Sequence, residues 1–107
     1  MTRSVPSGGN ESGLIIHLVL TYHWFDEMVA GRKDIEYRVI CGKWYKDIWA
    51  KRMDITHARF QRAYDKNPAT IIRRVTYIDQ GCCPYDGWDG DYYRLHLEPM
   101  TNDKRGE

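Results

Sequence analysis

Lys33, Glu36 and Arg38 follow Gly31 inside the stretch AGRKDIEYR at positions 30–38. These residue types do complementary things. A lysine ammonium is a compact point charge, a guanidinium is a planar fork of donors, and a carboxylate accepts through two oxygens. The segment KDIEYRV alternates, with Ile35, Tyr37 and Val39 on one face and Asp34, Glu36 and Arg38 on the other, which predicts a strand with one charged side. Glu36 and Arg38 would then project together, roughly 7 Å apart at the backbone. Such a pair can read the edge of a base, or clamp a phosphate beside a hydroxyl. Lys33, at the start of the strand, adds a positive charge and, if desolvated beside carboxylates, a group for proton transfer. The same residues would also suit a solvated strand face held by cross-strand ion pairs. The choice between these readings depends on the elements that position the strand.

A second set of cations lies nearby. The net charge of the 107-residue chain is only +1, yet residues 43–74 carry nine Lys and Arg against three Asp and Glu. A polyanion-binding patch can hide behind such a neutral total. In KWYKDIWAKRM (43–53), Trp44 and Trp49 alternate with Lys43, Lys46, Lys51 and Arg52, and Arg59, Arg62, Arg73 and Arg74 extend the block. Aromatic planes among cations suit single-stranded RNA, through base stacking and phosphate contacts, although an amphipathic helix would bury the same tryptophans. Trp88, in YDGWDGD, reads as a stacking residue over a cleft or as a cap on one end of the domain. His17 and His96 read as hydrogen-bonded strand histidines, and His23 and His57 as surface residues. The three cysteines, Cys41, Cys82 and Cys83, lack the spacing of metal ligands and point to free thiols in a reducing compartment. No metal or cofactor is expected, and there is no Gly-rich phosphate loop, nucleophile elbow or zinc-hydrolase motif.

The surrounding sequence predicts one domain over residues 14–99, preceded by a disordered segment at 1–13 and followed by a polar tail at 100–107. LIIHLVL (14–20) reads as a strand apolar on both faces. Thr21 is placed to cap a short helix over YHWFDEMVAG, with Gly31 as its terminator. After the charged strand come a helix over 43–53, an extended segment over 54–64 with an irregularity near His57, a strand over 69–78, a loop DQGCCPYDGWDGD and a last strand YYRLHLE. The expected fold is α+β, mainly β: about five mostly antiparallel strands curled into a small barrel, flanked by two or more short helices. With neither a targeting nor a spanning segment in view, the protein is expected to be soluble and cytoplasmic, with no membrane partner.

The order of elements, together with Gly31, Lys33, Glu36 and Arg38 as a G-x-K-x-x-E-x-R stretch, resembles the opening of the ASCH domain family. The Trp-containing helix, TIIRRVTYIDQG and YYRLHL extend the resemblance over about 85 residues, nearly the whole expected domain. It implies a PUA-like barrel with a cleft into which the motif residues point, and RNA or a nucleobase as ligand. Some small members resemble amidohydrolases acting on acylated cytidine through a Lys, a Thr nucleophile and a Glu base; their Thr falls at Glu36 here. A ribonuclease-like activity belongs to other members.

Three functional expectations follow. The first is a stand-alone module binding RNA or a single nucleoside, with Lys33, Glu36, Arg38 and Trp88 at the ligand and Lys43, Arg59, Arg62 and Arg74 at phosphates. The second is a small nucleoside amidohydrolase or RNA hydrolase using Lys33 and Glu36 as an acid and base pair. The third is an adaptor whose basic block meets an acidic protein.

Overall fold

The computed structural model describes residues 13–100. Apart from Gly13 and Met100, the expectations for the leading segment and the tail lie outside the described residues. The elements in chain order are β1 (Leu14–Leu20), α1 (Tyr22–Val29), β2 (Ile35–Val39), α2 (Gly42–Trp44) running on as a π-helical turn (Tyr45–Trp49), β3 (Ile55–Arg62), β4 (Thr70–Cys82) and β5 (Asp91–Leu97). The fold is mainly β: five mixed strands form a curled half-barrel with two short helices. The sheet order is β1-β3-β4-β5-β2, so β1 and β2 are its two edges. β1 runs parallel to β3, and every other pair is antiparallel.

Two irregularities shape the sheet. Ile55 pairs with Leu14 and His57 with Ile15, leaving Thr56 as an extra residue next to the His57 position where an irregularity was expected. β4 pairs with β3 through Thr70–Arg74 and with β5 from Val75 onward, and the register shifts between Val75 and Tyr77. The shift inverts the facing of β4. Arg73 and Val75 are buried before it, whereas after it Tyr77 is exposed and Ile78 packs on the core. An extra residue bends a strand and raises its twist, which curls a flat sheet toward a barrel.

Two elements end elsewhere than the sequence suggests for reasons visible in the structure. β4 runs through Cys82 because Asp79 to Cys82 pair with Asp91 to Arg94, so the first residues of the expected loop belong to the strand. The expected helix over 43–53 ends at Trp49, where the Ala50 amide reaches back to the Tyr45 carbonyl. Arg52 folds back on this end: its guanidinium lies over the Trp49 ring at 4.1 Å, and the Trp49 carbonyl accepts from both the Arg52 guanidinium and the Arg52 amide.

The core is built from Leu18, Phe60, Met28, Ile48 and Leu95, all essentially inaccessible. Burying each such side chain stabilises the fold by roughly 1.5–3 kcal/mol. α1 contributes Phe25 and Met28 and the π turn contributes Ile48, so both helical pieces cover the concave side of the sheet. Trp49 stacks on Tyr93 with ring centroids 5.4 Å apart. No helix among the described residues is long and apolar enough to cross a membrane.

Candidate functional site

Gly31 starts the site by ending α1. It adopts φ 82°, its amide reaches the Met28 carbonyl, and the Arg32 amide reaches the Glu27 carbonyl. This is the Schellman arrangement, which favours glycine because an L side chain is strained at positive φ. The side chains of Arg32 and Glu27 then pair in two hydrogen bonds, at 3.0 and 2.9 Å. The reversal delivers Lys33 to the start of β2.

Lys33 does not point into an open cleft, as the resemblance implied for the motif residues, but lies behind the cleft wall at 5% exposure. Its Nζ donates to the Ile35 carbonyl at 2.8 Å and to the Tyr85 hydroxyl at 3.4 Å, and it lies 3.3 Å from Glu36 Oε1. Three acceptors match the three donors of an ammonium group. The rings of Trp24, Tyr37 and Tyr85 surround it at 5.0–5.4 Å. Burial pushes the Tyr85 phenol above its usual range, which keeps this oxygen neutral as an acceptor.

The register of β2 on β5 decides which face of β2 is inner. Glu36 stands opposite Leu95 and Arg38 opposite Tyr93, both core residues, whereas Tyr37 stands opposite Arg94. Directly paired residues project to the same side of a sheet. The charged pair Glu36 and Arg38 therefore points to the concave side and the apolar face points away. Val39 is more than half exposed, whereas Tyr37 is buried, with Tyr85 packed on it at 5.4 Å and Lys33 over its ring.

Glu36, at 4% exposure, is held between two cations: Lys33 on Oε1 and Arg38 Nε on Oε2 at 2.7 Å. Two charged partners offset the cost of burying a carboxylate. Arg38 also donates through Nη2 to the Val19 carbonyl at 2.9 Å and lays its guanidinium 5.1 Å from the Trp44 ring centre. Ala63 takes the Leu20 carbonyl on the β3 side, so by strand alternation the Val19 carbonyl faces the open edge that Arg38 reaches.

Outside this network lies an open cleft of about 280 Å³ lined by Thr21, Trp24, Glu36, Arg38, Trp88 and Tyr92 among others. Trp88 is less isolated than its local sequence implied. It meets Tyr85 and Tyr92 at 5.5 Å and Trp24 at 6.3 Å, forming an aromatic wall. Thr21 occupies the position before α1, but its hydroxyl makes no capping bond and the residue lines the cleft instead. Arg38 uses two of its five N–H donors in the bonds above, and the Glu36 carboxylate keeps lone pairs beyond the two engaged. The wall thus presents an acceptor beside a donor, flanked by flat apolar rings.

The other expected contacts are dispersed. Lys43 pairs with Asp47 at 3.0 Å and lies over the Trp44 ring at 4.6 Å, one side chain away from Arg38. Arg62 is engaged by Asp26 and stacks on Tyr22, beyond the cleft. Arg59 is exposed on the convex side beside His17, and Arg74, beside His57, is 3.9 Å from Glu98. Arg73 is buried, bonded to Asp34 and to the carbonyls of Lys33 and Glu98, and so anchors the start of β2. Of the sequence candidates, Glu36, Arg38 and Trp88 share the cleft, with Lys33 behind it and Lys43 adjacent. Trp24, Tyr85, Tyr92 and Thr21 were not singled out as site residues; the aromatic density of PYDGWDGDYY was the available signal.

His17 bonds to Gln61 at 3.0 Å, and His96 to Asp79 at 2.9 Å. Cys41 and Cys82 are exposed and Cys83 is buried, all as free thiols. Among the described residues no group of His, Cys, Asp and Glu is placed to hold a metal ion. Compared with family models, curated proteins and solved structures, the chain shows no significant match.

Proposed function

We propose that this is a PUA-like domain of the ASCH type that binds RNA, or a single nucleoside, with one base in the cleft beside Glu36 and Arg38. The observation carrying this reading is the Glu36 carboxylate, 4% exposed, braced by Lys33 and Arg38 and presented at the wall of an aromatic-lined cleft. A carboxylate accepts from the amino or imino group of a base, and a guanidinium donates to a neighbouring ring nitrogen or carbonyl. Trp24, Trp88 and Tyr92 supply faces on which a base can stack, and such stacking contributes about 1–3 kcal/mol per base. The sequence resemblance to ASCH domains supports the same ligand class.

The hydrolase reading has less support. Lys33, its intended proton carrier, lies behind the wall with its donors directed to Ile35, Tyr85 and Glu36. A group so engaged would have to break these bonds to act on a substrate.

A thermal-shift titration with the four ribonucleosides and short RNAs at low salt, followed also by tryptophan fluorescence, tests the proposal. Binding to the folded state alone raises stability by about 2.7 kcal/mol at one hundred times Kd. Trp88→Ala, at a partly exposed position, should leave the fold intact and weaken the shift. No shift with any nucleoside or RNA would overturn the reading, and turnover of acylated cytidine that is lost in Lys33→Met would replace it with the hydrolase.

A further inference from the structure

A second groove of about 270 Å³ lies between the open edge of β1 and α2 with its π turn. Ile15, His17, Lys43, Trp44, Asp47 and Lys51 line it. It adjoins the cleft through one side chain: Arg38, from the cleft wall, and Lys43, from the groove, both direct their cations at the Trp44 ring. By the alternation that turns the Val19 carbonyl to the open edge, the main-chain amides of Ile15 and His17 face the groove.

We infer that this groove is a second ligand subsite, which takes the phosphate and following base of a single-stranded RNA whose first base occupies the cleft. The inference rests on the reading of the cleft as a base site. Lys43, Lys51 and the edge amides offer phosphate contacts of the kind that position a nucleic-acid backbone. Lys43 and Arg38 lie over the Trp44 ring, and a phosphate that draws Lys43 away uncovers the ring for a base to stack on. A peptide strand adding to β1 is the less suitable occupant, because Arg38 already takes the Val19 carbonyl and interrupts the run of edge groups that pairing needs. Among the described residues Asp47 is the one acidic side chain lining the groove, and it holds Lys43 at 3.0 Å. An incoming phosphate must compete with it for that lysine.

The experiment compares a ribonucleoside with the corresponding ribodinucleotide by tryptophan quenching, in the wild-type chain and in Lys51→Gln and Asp47→Asn. The dinucleotide should bind about tenfold more tightly and show the steeper salt dependence, since each neutralised phosphate releases counterion. Lys51→Gln should shrink the ratio of the two affinities about fivefold, and Asp47→Asn should enlarge it. Lys51 is exposed, and the Lys43–Asp47 pair is solvent-accessible and adds little, so neither substitution should cost much stability. Equal affinities, or a ratio that neither variant moves, would overturn the second subsite and leave the cleft reading standing. Failure of the wild-type chain to bind either ligand would overturn both. A dinucleotide outcompeted by an acidic peptide of equal charge would assign the groove to a protein partner instead.

Discussion

Arg38 on β2 donates to the Val19 carbonyl on β1 at 2.9 Å, joining the two strands that the sheet leaves without a second neighbour. The same guanidinium holds Glu36 at 2.7 Å. One side chain thus closes the half-barrel and orders the cleft wall, so stability and binding share a residue.

Arg38→Met should therefore destabilise the fold by ~3 kcal/mol, since it leaves a carbonyl and part of a buried carboxylate without partners. Arg38→Lys should lie between wild type and Met, because an ammonium cannot reproduce two bonds set by a planar fork. Urea unfolding midpoints measure both. A Met variant within about 0.5 kcal/mol of wild type would show that the bridge contributes little.

Much of this was legible in the sequence, and the reasons for the rest are specific. Alternation in KDIEYRV correctly separates Glu36 and Arg38 from Tyr37 and Val39, but a period of two cannot say which set faces the core. Hydrophobicity favoured Ile35, Tyr37 and Val39; the pairing with Leu95 and Tyr93 decided for the charges. Lys33 was identifiable as a site candidate, yet its cage comes from Trp24 on α1 and Tyr85 in the loop before β5, contacts of long sequence separation. The parallel pairing of β1 with β3 and the inversion of β4 after Val75 are likewise properties of the assembled sheet.

Lys33 and Glu36 should behave as one unit. Lys33→Met leaves Glu36 buried with a single cation, and Glu36→Gln leaves Lys33 without a countercharge, so each should cost ~3 kcal/mol. The double variant should cost at least about 1 kcal/mol less than the two single losses combined, because the second substitution removes the group stranded by the first. A double-mutant cycle by urea denaturation gives the coupling, and strict additivity would contradict the geometry.

Gly31 tests a backbone requirement in isolation. An added Cβ would meet no atom within 4 Å, so the cost of Gly31→Ala comes only from its φ of 82° and should be about 1–2 kcal/mol. Gly31→Asn should cost less, as asparagine enters the left-handed region more readily. Thermal unfolding of the two variants provides the comparison. Equal losses would mean that the helix end, rather than the residue's conformational preference, limits stability.

Asp79 supplies an acid-sensitive link on the outer face of the sheet. Arg94 grips both of its oxygens, at 2.9 and 2.8 Å, and His96, stacked on Tyr77, adds a third bond at 2.9 Å. The Arg94 bonds, joined by His96, hold the carboxyl down at about 2. A carboxylate whose pKa falls on folding stabilises the native state above its unfolded value and loses that contribution as pH drops through the folded value. The window therefore runs from about 4 down to about 2. Because the Asp79 side chain is 35% exposed, solvent screens the pair, and Asp79→Asn should cost only about 1 kcal/mol at neutral pH. The gap between variant and wild type should narrow as the pH is lowered through that window, because the wild-type carboxylate then takes up its proton. Urea midpoints across the acid range would register this convergence, and a gap constant with pH would assign the loss to packing rather than to charge.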